Sequence, residues 1–403
     1  MTSMPMSYDI NTTNKEYLIE EINSWDEFNE LQNEKIDLLR GIYSYGFERP
    51  SPIQKKAIRP LMEGRDIIAQ AQSGTGKTGC FTIGTLYRID PTKSTVQAMI
   101  LAPTRELSRQ ILSVIESISV SMKGVKCQLL VGGTSTEADR DILLTDKPQI
   151  VIGCPGRIHD MMRRKYLDTK NITIMVLDEA DEMLSVGFKE QVYNIFQFLP
   201  QDVQVGLFSA TMPPELHSLT EKFMRNPVKI LVKSEMLTLE GISQYYIALN
   251  DDNDKYITLK DLYGQISMSQ CIIYCNNIKK VADLHEAMLT DGYPVCCIHS
   301  GMEKEARLES YNDFKSGKYR VLISSDITAR GIDVQQVSTV INFDIPKCIH
   351  TYLHRIGRGG RWGRKGTGIN FVSKRDFRKI KEIEKYYNTQ IKELPSTFCE
   401  KAE

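Results

Sequence analysis

The segment Ala71-Gln-Ser-Gly-Thr-Gly-Lys77-Thr78 places two glycines, a lysine and a hydroxyl at a spacing suited to phosphate chemistry. It follows an apolar run, Asp66–Gln70, and precedes a helix-like stretch from Thr78, so it reads as a loop entering a helix N-terminus. Such a loop turns its backbone N–H groups toward phosphate oxygens, with Ala71, Gln72, Ser73, Gly74, Thr75 and Gly76 around the phosphates. Lys77 then reaches the outer phosphates and the Thr78 hydroxyl ligates Mg²⁺. Further along, Asp178-Glu-Ala-Asp181 ends a second apolar run, Ile172–Leu177, that reads as a buried parallel strand. Asp178 at that strand end is where a nucleoside triphosphatase holds its metal. Singly, the first stretch is also a plausible structural turn and the second an acidic helix start. Their order, spacing and strand context together predict ATP binding and hydrolysis with Mg²⁺ as cofactor.

The surrounding chain alternates apolar strands and amphipathic helices, twice over. Strands are predicted at Asp66–Gln70, Val96–Ala102, Lys126–Val131, Gln149–Gly153, Thr173–Leu177 and Val203–Ser209, with helical stretches such as Arg105–Lys123 and Phe188–Phe198 between them. A second series runs through Ser243–Ala248, Gln270–Cys275, Val295–His299, Arg320–Ser324, Thr339–Phe343 and Gly368–Val372, with helices over Lys279–Asp291, Glu303–Ser316 and Lys374–Asn388. Crossovers of this length imply an α/β fold of doubly wound parallel sheets with helices on both faces. The expected organisation is a flexible tail over 1–22, a first domain over 23–233, a linker over 234–242 and a second domain over 243–403.

Composition is compatible with this reading. A chain of 403 residues exceeds what one hydrophobic core sustains, ~250–300 residues. No run approaches the ~20 apolar residues of a membrane span, and the N-terminus carries no leader pattern. The nine cysteines form no CxxC pair and no zinc spacing. Scattered thiols in a large chain point to a reducing compartment, the cytoplasm with the nucleus as the alternative.

Net charge is zero, but residues 1–37 hold nine acidic against two basic side chains, while residues 347–392 hold thirteen basic against three acidic. Lys374–Lys385 reads as a solvated helix face. The cluster His354-Arg-Ile-Gly-Arg358-Gly-Gly-Arg361-Trp-Gly-Arg-Lys365 differs, because its glycines interrupt helix and its guanidiniums suit phosphate recognition. Only the first half carries the glycine loop and only the second carries this cluster. Arg358 and Arg361 are therefore candidate arginine fingers opposite Lys77, which makes catalysis dependent on domain closure.

From about Trp25 to Pro395 the chain resembles the DEAD-box RNA helicases. The resemblance rests on Gly46-Phe-Glu-Arg-Pro-Ser-Pro-Ile-Gln54, the glycine loop, Pro103-Thr-Arg-Glu-Leu107, Gly132-Gly133, Pro155-Gly-Arg157, Asp178–Asp181 and Ser209-Ala-Thr211. It continues with Ser325-Asp326, Ala329-Arg-Gly-Ile-Asp333 and His354–Arg361. Stretches such as Leu38–Glu48, Leu237–Ile242 and Gly331–Ser338 are most similar to the translation-initiation branch of that family and its exon-junction paralogue.

The resemblance implies two tandem RecA-like domains and ATP-dependent unwinding of short RNA duplexes. It assigns Gln54 to the adenine edge with Phe47 stacked nearby, Asp333 to the ribose, Glu179 to the attacking water and Asp178 to Mg²⁺, partly through water. Asp181, Ser209, Thr211 and His354 become coupling residues. Single-stranded RNA would be held by its backbone, without base readout, at Thr104, Arg105, Gly133, Gly156 and Arg157, and at Asn276, Gly301, Arg307 and Ser325. The implied partners are RNA and translation-initiation scaffold proteins, with a monomeric chain and no membrane. Two other readings remain open at this point: an ATP-gated RNA clamp with little unwinding, and a DNA-translocating motor. The chain departs from the family pattern at Cys154, Asn277, Lys304, Ser108 and Ser325, and at its C-terminus. Trp25 competes with Phe28 for the aromatic upstream of Gln54.

Overall fold

A computed structural model of the chain describes residues 8–12, 20–26, 31, 35–72, 74–184, 188–232, 241–266, 269–326, 337–359 and 366–395. The chain divides into two compact units, 1–233 and 234–403.

The first unit contains β1 (Tyr8–Thr12), β2 (Ile67–Gln70), β3 (Ala98–Leu101), β4 (Cys127–Leu130), β5 (Ile150–Gly153), β6 (Ile174–Leu177), β7 (Gln204–Ser209) and β8 (Val228–Val232). They form one sheet in the order β1-β8-β2-β7-β6-β3-β5-β4. All neighbours are parallel except β1, which pairs antiparallel with β8. The second unit contains β9 (Ile242–Leu249), β10 (Gln270–Tyr274), β11 (Val295–Ile298), β12 (Val321–Ser324), β13 (Val337–Asn342), β14 (Gly366–Ser373) and β15 (Lys392–Glu393). Their order is β11-β12-β10-β13-β14-β9-β15, parallel throughout. Both units have the RecA-like α/β architecture.

Strand sequence explains the layering. Side chains alternate faces along a strand, and Met99, Leu101, Val151, Met175, Leu177, Val205 and Leu207 share one core with Ile158, Met161, Val192 and Ile195 from helices Pro155–Arg163 and Lys189–Phe198. The alternate residues Ala98, Ile100, Ile150, Ile152, Ile174 and Val176 are equally buried. A sheet buried on both faces needs helices on both, and across the second face Phe81 of helix Lys77–Arg88 meets Phe208 edge to face at 5.1 Å. This is why these strands read as continuous apolar runs.

Two expectations are corrected. Residues 8–12, expected as part of a flexible tail, form the edge strand β1; the polar Tyr-Asp-Ile-Asn-Thr carries no strand signal, and β8 provides its hydrogen-bond partners. Ile242, expected in the linker, begins β9. The rest of that linker lies outside the described residues except Gly241. Strands β8 and β15 were not anticipated, and the first sheet is mixed at its edge.

In a parallel sheet every strand ends on the same side. Register places Gln70 beside Ser209, Leu101 between Leu177 and Gly153, and Leu130 beside Gly153. The segments leaving these strands carry all of the first unit's candidate residues except Phe47 and Gln54. In the second unit Tyr274 lies between Ser324 and Asn342, and Ile298 beside Ser324. The segments that hold Asn276, Gly301 and Ser325 therefore leave one sheet edge. Ligands bind at the carboxyl ends of strands in such folds.

Candidate functional site

The glycine loop connects β2 to helix Lys77–Arg88, and Gly74 and Gly76 hold φ of +82° and +99°. Gly76 needs its small size as well, since a Cβ there would lie 2.8 Å from both Gln54 Nε2 and Ser51 Oγ. Gln54 braces the loop: its Nε2 donates to Gly76 O at 3.1 Å while its Oε1 accepts from Ser51 N at 2.8 Å. A primary amide has two N–H groups and two carbonyl lone pairs, so these two contacts use only one donor and one acceptor of Gln54. Phe47 is half-buried, stacks edge-on against Tyr45 at 4.8 Å, and packs where a Gly79 Cβ would come within 2.5 Å. Ser73 lies outside the described residues.

The two chemical stretches meet inside the first unit. Lys77 Nζ is 3.8 Å from Glu179 Oε2, with both side chains 6% exposed. The Lys77 ammonium has no hydrogen-bond acceptor among the described residues. Glu179 adopts φ +50°, left-handed backbone that is costly for a residue with a Cβ. Its N–H is held by Asp178 Oδ1 at 3.0 Å. Burial, and next the charge of Glu179, raise the Asp178 pKa to about 7 despite Lys77. Two carboxylates crowded around one ammonium leave an anionic surplus that a divalent cation would relieve, and Thr78 in the first helical turn adds a hydroxyl. The residues present fit Mg²⁺.

A chain of contacts runs from this pocket to Ser209-Ala-Thr211. Ala71 N donates to Ser209 O at 3.0 Å, and Gln70 Nε2 donates to Ala210 O at 3.3 Å. The Thr211 hydroxyl donates to Asp181 Oδ2 at 2.5 Å, and Asp181 N and Thr211 N both approach Ser209 Oγ at 3.4 Å. The start of the glycine loop is thus tied to Asp181 within a few bonds.

The first unit's RNA candidates have local structural work as well. Thr104 caps helix Arg105–Ile118 by accepting from Leu107 N at 3.2 Å. Arg105 lies against Gly132, and Gly133 holds φ +87°. Gly156 sits in the first turn of helix Pro155–Arg163, where a Cβ would lie 3.3 Å from Gln191 Oε1. Arg157 pairs with Asp139 and donates to Thr134 Oγ1 at 3.1 Å and Thr134 O at 2.8 Å. Cys154 provides no side-chain cap and instead contacts Ser108 Oγ at 3.7 Å. Trp25 is fully buried, whereas Phe28 lies outside the described residues.

In the second unit, Asn276 donates to Ile345 O at 2.9 Å and accepts from Arg355 at 2.8 Å. Arg355, fully buried, also donates to Asp326 at 2.6 Å, Asn342 at 3.2 Å and Asp344 O at 2.7 Å, and stacks on Tyr274 at 5.3 Å. Asp344 draws in Lys255 at 3.1 Å and Lys280 at 2.5 Å. Gly301 N donates to His299 Nδ1 at 3.2 Å, Arg307 is buried, and Ser325 is half-buried in the segment after β12. Asn277 caps helix Ile278–Thr290 by accepting from Lys280 N at 2.8 Å, so its departure from threonine keeps a capping acceptor. Lys304 opens helix Lys304–Lys315, where a cation opposes the helix dipole. His354 ends helix Ile349–Ile356, and its carbonyl accepts from Arg358 Nε at 3.2 Å; both side chains are buried. Asp333 and Arg361 lie outside the described residues.

The sequence reading missed Asp139, Thr134, Asp344 and Lys255, and took Arg355 only as part of a basic cluster. Periodicity does not reveal such polar partners, because they meet across the fold.

Comparison with known proteins agrees with this geometry. Residues 51–219 match the family model of the DEAD/DEAH box helicases, and residues 254–363 match the helicase conserved C-terminal domain. The ATP-dependent RNA helicase eIF4A of Neurospora crassa is 53% identical over 370 residues, 92% of each chain. The eIF4A of Chaetomium globosum is likewise 53% identical over 92% of each chain. Among solved structures, S. cerevisiae Dbp5 bound to RNA and ADP BeF3 superposes with a TM-score of 0.87 at 34% identity, over 94% of this chain and 97% of that one. Mss116p bound to ssRNA and AMP-PNP gives 0.82 at 27% identity, over 94% of this chain and 81% of that one. Motif order, sheet topology and these matches lead to one conclusion: the chain belongs to the DEAD/DEAH box helicase family.

Proposed function

We propose that this protein is an ATP-dependent RNA helicase of translation initiation, which grips single-stranded RNA by its backbone and disrupts short duplexes as it hydrolyses ATP. The observation that carries the reading is the buried Lys77–Glu179 pair beside Asp178. It is joined through the Ala71–Ser209 contact to the Thr211–Asp181 bond. A triphosphate on the loop gives Lys77 its missing acceptors and separates it from Glu179, which is then free to orient or deprotonate the attacking water. Asp178 and Thr78 hold Mg²⁺, which supplies charge neutralisation at the phosphates. Gln54 and Phe47 select adenine, Asp333 takes the ribose, and Arg358 and Arg361 stabilise the transferring phosphoryl group.

RNA binds at Thr104, Arg105, Gly133, Gly156, Arg157, Asn276, Gly301, Arg307 and Ser325. His354, with Asp181, Ser209 and Thr211, couples that binding to turnover. Solved relatives carrying RNA together with a nucleotide or its analogue support joint occupancy, and the eIF4A relatives favour unwinding over a static clamp. Translation-initiation scaffold proteins are the expected partners of a monomeric, cytoplasmic enzyme. Among the described residues no helix is long and apolar enough to cross a membrane. An ATPase assay with and without single-stranded RNA tests the proposal. RNA should stimulate the wild type, single-stranded DNA should not substitute, and Glu179→Gln should bind both ligands without turnover; hydrolysis indifferent to RNA would refute it.

A further inference from the structure

Arg157 is anchored in a way that its motif does not explain. Its Nη1 donates to Asp139 and to Thr134 Oγ1, and its Nη2 donates to Thr134 O. The Thr134 hydroxyl lies 2.9 Å from Asp139 Oδ2. Asp139 is itself fixed: it sits in the first turn of helix Thr136–Thr145, its N–H donates to Ser135 O at 3.1 Å, and its carbonyl accepts from buried Gln128 at 2.9 Å. The Arg157 and Asp139 side chains are only 10% and 7% exposed.

A guanidinium has five N–H donors in a rigid plane. Here the edge formed by Nη1 and Nη2 is consumed by Asp139 and Thr134. Nε–H and the second Nη2–H, which share the adjacent edge, have no partner among the described residues. That edge is a two-pronged donor matched to a phosphate. Thr134 follows Gly133 directly, so the same contacts lock the glycine turn to the helix that bears Gly156.

We propose that Asp139 is a positioning residue of the RNA site: it holds the Arg157 fork and the Gly132–Thr134 turn in one arrangement that presents both to a single RNA phosphate backbone. The inference rests on the RNA-binding reading above and assigns to an acidic residue a favourable part in gripping a polyanion. Simple electrostatics predicts the opposite, since deleting a carboxylate near RNA should tighten binding.

The sign of one substitution therefore decides. Affinity for a labelled single-stranded oligonucleotide RNA would be measured by anisotropy with a non-hydrolysable ATP analogue, across a salt series. The proteins are wild type, Asp139→Asn, Arg157→Gln, the double variant and Thr134→Val. Asp139→Asn should weaken binding about tenfold, the scale of a lost charge-assisted hydrogen bond. Arg157→Gln should also flatten the salt dependence by roughly one phosphate contact, a slope of ~0.7. The double variant should bind like Arg157→Gln, because both changes disable one unit. Thr134→Val, neutral and isosteric, should weaken binding in the same direction and keeps the test decisive if Asp139→Asn unfolds. Wild-type binding with Asp139→Asn or Thr134→Val equal to or tighter than wild type overturns the role of Asp139. A wild-type chain that holds no RNA overturns the reading beneath it.

Discussion

Gln54→Glu separates a brace on the phosphate loop from a passive surface glutamine. The substitution is nearly isosteric and leaves Oε1 able to accept from Ser51 N at 2.8 Å. It replaces the Nε2 donor by an oxygen at the site that now lies 3.1 Å from Gly76 O. Gln54 is 2% exposed, so water cannot easily take over, and two acceptors face each other. Leaving a buried acceptor unmade costs ~1–3 kcal/mol, roughly a 5–150-fold change in an equilibrium. Gly76 is the residue before Lys77, so the loop must shift and nucleotide affinity must fall. On the proposed adenine contact, part of the loss is specific to adenine, whose N7 would then confront an oxygen. Titration with fluorescent ATP and GTP analogues reads both effects: ATP affinity should fall by at least fivefold and the ATP-over-GTP preference should shrink. Gln54→Ala should lose the preference with a smaller loop defect, because Gly76 O then gains access to water. Wild-type ATP affinity and preference in Gln54→Glu would refute the brace.

Three further outcomes follow from the same geometry. Asp178 titrates at about 7 because of burial and Glu179, so the folded chain holds its proton more tightly than the unfolded chain does. Stability without ligands should therefore fall as pH rises from the ordinary carboxylate range to about 7. Asp178→Asn should remove that fall, and a parallel pH–stability profile in the variant would contradict the assignment. Thr211→Val deletes the 2.5 Å donor to Asp181, so duplex strands separated per ATP hydrolysed should drop severalfold; an unchanged ratio in paired ATPase and displacement assays would remove Thr211 from coupling. Arg355→Gln strips a fully buried guanidinium from Asn276, Asn342 and the half-exposed Asp326, a loss of ~1.5–3 kcal/mol, the scale of hydrogen bonds to a charged group. The second unit should then melt about 3–12 °C lower, and calorimetry showing no shift would mean that the network contributes little.

Much of the fold is legible because buried parallel strands must be apolar throughout. Ile174–Leu177 and Ile150–Gly153 stand out for that reason, and both lie within one residue of their predicted starts. β1 and β15 were not legible: one is a polar edge segment and the other two residues long, so tertiary pairing defines them. The proposed nucleotide pocket is legible because its candidate chemistry is contiguous, as in Gly74–Thr78 or Asp178–Asp181. The contacts that orient it were not. Arg157 finds Asp139 across 18 positions, and Lys255 finds Asp344 across 89. Nothing in a charged residue's type says which distant group will neutralise it. Arg355 illustrates the limit: in sequence it belongs to a cationic cluster, yet burial turns it inward as a structural hub.

The proposed helicase activity requires Lys77 to grip the triphosphate and Arg358, in the segment after His354, to stabilise the transferring phosphoryl group. Single-turnover ATP hydrolysis with saturating single-stranded RNA, comparing wild type with Arg358→Ala, tests it most directly. The expected result is a rate lower by ~10³-fold or more with ATP affinity nearly preserved; a wild-type rate in Arg358→Ala would contradict it.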